Sequence, residues 1–486
     1  MLTGAPLTQS SPKYIQLAQQ IRVAIKLGHL QPNDPLPSAR KLAELYGINR
    51  HTVMTALQNL VAQGWLCSAQ RRGYRVNQAL PIESSQLVVQ PNTQIRDIKP
   101  DFASSLSGIQ TRSSEKATYE YSFAGGLADL SDFPYDEFRR HLNQACRAVN
   151  VPQLHYGNCS GEPALKQQLQ HYLRRARALD CEDLLVCNGS QEALFLIAKA
   201  FIRNGEGVAV ESLGYPPAHC AFEACGATLH GIAQDKEGLD VDNLRACFEQ
   251  NKIKLLYLTP LHQYPTMVTL SVARRMAIYQ LCAEYGVFII EDDYDHEFHY
   301  RCPPLQPMAA SDPHGIVIYV STFSKIMFAG ARMGYLVARA DVLNQLILLK
   351  QLMNHKNDIL LQMALASWMA SGEFERHLRR MTKRYHARCD AMASELKHYQ
   401  AQGYPMTFTV PDGGMAFWVN VHQDVSELSV RAAERGVYVQ TEDEFWRFSQ
   451  QHYSHIRLGF AGQNEQKMRA GLARLIALLE KGERTG

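Results

Sequence analysis

The chain has 486 residues and a formal net charge of +3, longer than one ordinary domain, so two or more are predicted. No apolar run approaches the ~18 residues a membrane span needs, and the first residues lack a charged, apolar, small-residue signal pattern, so a cytoplasmic protein without a membrane partner is expected. The 11 cysteines are scattered without CxxC or Cys/His spacing, which predicts reduced thiols and no metal site.

The charge is unevenly divided. Residues 1–78 hold nine Lys/Arg against Asp34 and Glu44, and the remainder holds 41 basic and 45 acidic residues. A basic head on a mildly acidic body predicts that the head alone meets a polyanion.

In chain order, 14–27 repeats apolar residues at helical spacing (Leu17, Ile21, Ala24, Ile25) and stops at Gly28. After a proline-rich turn, Ser38 is placed to cap a second helix over 39–46, with Leu42 and Leu45 inward and Gly47 ending it. Asn49 caps a third over 50–63, whose buried face is Val53, Leu57, Leu60 and Val61. Helix, short glycine turn, helix is the helix-turn-helix pattern. Residues 65–67 and 74–76 then flank a basic hairpin wing that carries Arg71 and Arg72.

The third helix leaves Arg50, His51, Thr52 and Thr55 at its N-terminal end, the end a recognition helix inserts into the major groove. Arg50 suits a bidentate contact to guanine, whereas Arg40, Arg71 and Arg72 suit phosphates. The plain alternative is a small three-helix packing domain with solvated arginines. The stretches Leu36-Pro-Ser-Ala-Arg40-Lys-Leu-Ala, Asn49-Arg-His-Thr-Val53 and Leu60-Val-Ala-Gln-Gly-Trp-Leu resemble the GntR winged helix. That resemblance spans 11–78 and implies operator DNA as a partner.

Over 79–118 periodicity fades and Gln, Ser, Pro and Thr dominate, which reads as a linker between domains that move. Beyond it, residues 184–194 read as a strand, a tight turn at Gly189-Ser190-Gln191 and a helix start. Backbone amides and the helix dipole favour a phosphate there. The apolar run 286–290 ends in Glu291-Asp292-Asp293-Tyr294, and a carboxylate at a strand end can keep a pyridine nitrogen protonated. A second apolar run, 315–320, leads into Ser321-Thr322-Phe-Ser324-Lys325 and on to Arg332. A lysine fixed among hydroxyls and a guanidinium suits pyridoxal phosphate (PLP): the amine forms a Schiff base, and the hydroxyls and the arginine hold the phosphate. Lys325 alone would read as a solvated loop lysine; the acidic strand end upstream reverses that.

The motifs Glu291-Asp-Asp-Tyr-Asp295 and Thr322-Phe-Ser-Lys325 resemble those of fold-type I aminotransferases, and more closely the MocR subfamily of GntR-type regulators. The resemblance covers nearly the whole chain outside the linker. It implies an α/β protein in which an N-terminal winged helix-turn-helix is joined to a PLP-dependent fold-type I aminotransferase-like domain over 119–486, with a smaller C-terminal portion from about 345. It also implies a homodimer. Among the residues, it makes Lys325, Asp292 and Tyr294 the catalytic candidates, with Tyr294 near the cofactor's phenolate oxygen. Gly189, Ser190, Gln191, Thr322, Ser324 and Arg332 would form the phosphate cup, Tyr215 would stack on the ring, and Arg457 would clamp a ligand carboxylate. His262 is a ring-side candidate, with a satisfied structural histidine as its alternative. Phe138 stands where a Trp is usual, Leu261 and Met267 replace a Ser and a Gly, and His219 stands where some members carry a further Arg. The expected function is a PLP-dependent transcriptional regulator that senses PLP or an amino compound through aldimine formation. Its rival is a PLP-dependent aminotransferase with an accessory DNA-binding head.

Overall fold

A computed structural model of the chain describes residues 11–69, 73–80, 119–155, 157–301, 303–448 and 452–481. It divides into two compact units, Met1–Pro100 and Asp101–Gly486. Arg71, Arg72 and most of the expected linker lie outside the described residues.

The first unit packs three helices and a hairpin. Lys13–Lys26 buries Leu17, Ile21, Ala24 and Ile25 along one stripe. Ser38 caps Ala39–Tyr46, which ends at Gly47 in the left-handed region. Asn49 caps Arg50–Ala62 through a 2.9 Å bond from the Thr52 amide, an arrangement worth about 1 kcal/mol. The strands Leu66–Ala69 and Gly73–Val76 pair antiparallel, with Leu66 opposite Val76. One expectation fails: Leu45 is exposed, and Tyr46 is buried in its place. Leu42 and Tyr46, four apart, share the inward face of this eight-residue helix as its buried residues, with Ala39 and Ala43 packed beside them.

The second unit is built on a seven-stranded sheet. Its order is Leu185–Cys187, Gly334–Val337, Val317–Thr322, Phe288–Asp292, Ile253–Leu258, Gly207–Glu211, Thr228–Ile232. Gly334–Val337 runs antiparallel to both its neighbours, and the remaining strands run parallel. Strands such as Val317–Thr322 are buried along their whole length, as apolar, β-branched runs are when both faces of a parallel sheet are covered. Asp292 pairs with Val320. The acidic strand end and the strand feeding Lys325 therefore finish side by side at the sheet's carboxyl edge, where open α/β sheets bind ligands.

A separate four-stranded antiparallel sheet (Thr407–Phe408, Ala416–Asn420, His455–Gly459, Gln440–Thr441) lies in the C-terminal part of the chain. It shares a core with the 29-residue helix Glu373–Ala401, which turns Met381, Tyr385, Cys389, Met392 and Leu396 inward at helical spacing. The short strand Tyr121–Ser122 joins this region by pairing parallel with Val437–Tyr438.

Candidate functional site

Five segments leaving the carboxyl edge of the large sheet surround a cavity of about 190 Å³. Its walls include Ser190, Gln191, Tyr215, Tyr257, Thr259, Tyr264, Asp292, Tyr294, Thr322, Ser324, Lys325 and Arg332. Apart from His262 and Arg457, the sequence-predicted pocket residues thus converge, with Gly189 beside them as N-cap of the helix Ser190–Phe201. Gly189 is held at φ +76°, and a Cβ there would sit 2.7 Å from an Arg332 nitrogen. Only glycine lets that guanidinium close on the turn. Arg332 donates to the Asn188 carbonyl at 2.7 Å, and the Thr322 and Ser324 hydroxyls lie 2.9 Å apart. A helix N-terminus, two hydroxyls and an arginine together suit a phosphate.

At the other end, Asp292 is buried, and burial lifts its carboxyl to about 7 against the opposing hydrogen bond from Tyr257. The Tyr257 hydroxyl donates to Oδ2 at 2.9 Å, while Oδ1 has no partner among the described residues. The Tyr294 hydroxyl likewise has none. Lys325 lines the same cavity, half-buried, and desolvation, helped by the Arg457 charge, lowers its amine from 10.5 to about 8. Its Nζ donates to the Gly126 carbonyl at 2.8 Å and lies 5.9 Å from the centre of the Tyr294 ring. Orphaned acceptor and donor atoms around a lysine, in a chamber of this size, fit a pyridine ring with a carboxylate on its nitrogen and a phenol at its oxygen. The residues present therefore fit PLP.

Arg457 sits beside the cavity on the strand His455–Gly459, fully buried. Its guanidinium lies 4.3 Å over the Tyr264 ring, and none of its three nitrogens has a hydrogen-bond partner among the described residues. A buried cation resting on a ring face can take a carboxylate through both arms. His262 is placed otherwise: it lies outside the cavity wall, its Nδ1 bonded to Asp295 at 2.6 Å. His219 is also buried, held neutral by desolvation with its pKa lowered to about 4. Sequence reasoning gave no individual role to Tyr257, Thr259, Tyr264 or the glycine pair Gly125–Gly126, although the stretches 258–266 and 123–129 resemble a cofactor-contacting turn and an entry segment of the same regulators.

In the first unit, Arg50 and His51 are exposed and Thr52 half-buried at the start of the third helix. Arg40 pairs with Glu44 on the surface at 3.3 Å. Among the described residues no group of three or more His, Cys, Asp or Glu side chains is placed to hold a metal ion, and no helix is long and apolar enough to cross a membrane.

Residues 127–475 match the family model "Aminotransferase class I and II", and residues 13–76 match "Bacterial regulatory proteins, gntR family". The chain is 30% identical to the HTH-type transcriptional regulator TauR of Rhodobacter capsulatus, over 98% of each chain. It is 28% identical to the "Probable rhizopine catabolism regulatory protein MocR" of Rhizobium meliloti, over 95% of this chain and 92% of that one. Among solved structures, Pyrococcus horikoshii kynurenine aminotransferase in complex with PMP superposes with a TM-score of 0.69 at 30% identity, covering 74% of this chain and 90% of that one. The chain belongs to the aminotransferase class I and II family and, with its GntR-type head, to the MocR-type GntR regulators.

Proposed function

We propose that this protein is a DNA-binding transcriptional regulator whose aminotransferase-like domain carries PLP on Lys325 and responds to PLP itself or to an amino compound. One observation carries this reading: Asp292 Oδ1 and the Tyr294 hydroxyl, both buried and unpartnered among the described residues, face one cavity with Lys325 in a chain that also bears a GntR-type head. Bound there, PLP supplies an aldehyde for amine capture and an electron sink. The residues divide the remaining work. Ser190 and Gln191 at the helix start, with Thr322, Ser324 and Arg332, hold a phosphate. Tyr257 fixes one oxygen of Asp292 so that the other meets a ring N–H. Tyr294 offers its hydroxyl to the ring oxygen, and the Tyr215 ring forms one wall. Lys325 is the nucleophile and moves protons at Nζ, and Arg457 receives the ligand carboxylate.

In this reading 1–78 is the DNA-binding domain, 79–118 the linker and 119–486 the sensor, acting in the cytoplasm as a homodimer. Leu352, 85% exposed, and Val151, 67% exposed, are apolar side chains that a dimer contact would cover.

The rival, an efficient aminotransferase with an accessory head, draws support from the same Lys325, Asp292 and Arg457 set and from the aminotransferase neighbour. Operator affinity measured for apo, PLP-loaded and ligand-treated protein, beside steady-state transamination, separates the two. The regulator reading expects operator affinity to shift by about 1–3 kcal/mol between states, with turnover well below the enzyme median of roughly 10 per second. Unchanged operator affinity with rapid turnover selects the rival.

A further inference from the structure

The segment 123–129 is the first part of the sensor domain to reach the site, and it does so as bare backbone. The Phe123 amide donates to Tyr438 at 2.9 Å, and its carbonyl accepts from Gly459 at 2.9 Å. At the far end, the Asp129 amide donates to the Tyr385 hydroxyl at 3.0 Å, and its carboxylate pairs with Arg388 at 2.7 Å. Between these anchors Gly125 and Gly126 lie against the two reactive side chains. A Cβ at Gly125 would fall 1.8 Å from an Arg457 nitrogen. At Gly126, with φ +78°, it would fall 2.9 Å from Lys325 Nζ. The Gly126 carbonyl accepts the one hydrogen bond that the Lys325 amine makes among the described residues, at 2.8 Å.

We propose that the Gly126 carbonyl is a positioning group for Lys325, holding the amine while it is free and losing it once the amine is covalently engaged. The leading segment thereby reads the state of the lysine. The proposal rests on the reading that Lys325 carries PLP. When Nζ condenses with the aldehyde, an N–C double bond forms and the aldehyde oxygen leaves as water with both amine protons. The imine nitrogen keeps at most one proton, shared with the phenol oxygen beside the former aldehyde, so none is left for Gly126, and a buried carbonyl loses its partner, a loss the segment relieves by shifting. When the amine of a ligand displaces lysine, its own N–C bond forms, the lysine's breaks, and its two protons return the lysine to a free amine. Gly126 then regains its donor. The segment is seated in the empty and ligand-bound states and released in the cofactor-only state. The polypeptide on its N-terminal side continues to the DNA-binding head, so the state of one amine bears on the chain that leaves the domain.

Hydrogen exchange over peptide 121–132, followed by mass spectrometry on the full-length protein, tests this. The states compared are stripped wild type, PLP-loaded wild type, and Lys325→Ala with and without PLP. Borohydride trapping locates the adduct in parallel. Exchange is expected to be slowest in stripped wild type and to rise about tenfold on loading, the fold-change of one buried hydrogen bond. In Lys325→Ala it is fast in both states. A cofactor that merely stiffened the site would slow exchange instead. An adduct on Lys325 with exchange unchanged or slowed overturns the proposal and leaves the cofactor reading standing. If no adduct forms on Lys325, the cofactor reading fails. The comparison of stripped wild type with Lys325→Ala then still decides whether Gly126 holds the amine, and equal rates there reject it.

Discussion

The Tyr257 hydroxyl donates to Asp292 at 2.9 Å across neighbouring parallel strands, and burial holds that carboxyl near 7 rather than near 4. The bond favours the ionised form, and burial favours the neutral one. In the proposed reading Asp292 meets a ring N–H as the carboxylate, so the tyrosine would set how much of the protein is ready for the cofactor at neutral pH.

Tyr257→Phe removes the bond that favours the ionised form and moves the carboxyl further up. PLP affinity of the apo protein is expected to fall by about tenfold at pH 7, in line with the loss of one hydrogen bond to a charged group. The gap should close towards pH 9, where the carboxyl ionises without help. Fluorescence titration of both proteins across pH measures this. A loss of the same size at every pH would mean that Tyr257 only packs.

Lys325 gives a second pH signature. Only the neutral amine attacks an aldehyde, and burial has lowered its pKa from 10.5 to about 8. The rate of PLP uptake should therefore rise with pH through about 8 and level off above it. An ordinary lysine would still be gaining beyond pH 9. Stopped-flow absorbance gives the profile, and Arg457→Met, which removes the neighbouring positive charge, should move its midpoint upward.

What was legible in the sequence shares one physical property. Asp292, Lys325 and Gly189 each close an apolar run, and in a parallel sheet every such run delivers its last residues to the same edge. Strand ends can be read one at a time. Tyr257 could not be, because it lies inside its strand and matters through a register, Tyr257 opposite Ile290, that only the folded sheet establishes. Gly125 and Gly126 sit in a stretch that resembles a family entry segment, but they arrive from far upstream, and only the fold shows that they lie on Arg457 and Lys325. His262 shows the converse. Its motif pointed to the ring, but a buried carboxylate, Asp295, turns it away. In the head, Leu45 and Tyr46 are adjacent apolar residues on a short helix, and only packing decides which one turns inward.

Arg50 and Arg40 are both exposed on the head but should fail differently. Arg50 opens the third helix, where side chains reach base edges. Arg50→Ala is expected to cost about 1–3 kcal/mol on the specific operator and to relax sequence preference. Arg40 lies on the helix before it and pairs weakly with Glu44. Arg40→Ala should weaken specific and random DNA alike and reduce the salt slope by about one unit. Binding isotherms on both DNAs at several salt concentrations distinguish them. Equal losses for both variants on both DNAs would reject the division.

Behind the proposed phosphate cup, Lys350 is wholly buried and lies 3.0 Å from both oxygens of Glu192. Glu192 stands in the first turn of Ser190–Phe201 and also accepts from the Asn188 amide and the Asn354 side chain. Asn188 in turn offers its carbonyl to Arg332. Removing the lysine alone leaves a buried carboxylate without its cation, so Lys350→Met should destabilise the protein by about 3–5 kcal/mol. Pairing it with Glu192→Gln should recover much of that loss, since the charge then disappears with its partner. By contrast Arg174→Ala, which breaks an exposed pair with Asp180, should change stability by less than about 1 kcal/mol. Thermal and urea unfolding of the four proteins measure these differences. The cup adds a functional readout. If Glu192 holds Asn188 for Arg332, Lys350→Met should also weaken binding of inorganic phosphate to the apo protein, and Arg174→Ala should not. Stability lost with phosphate affinity intact would confine Lys350 to the core and remove it from the line that leads to Arg332.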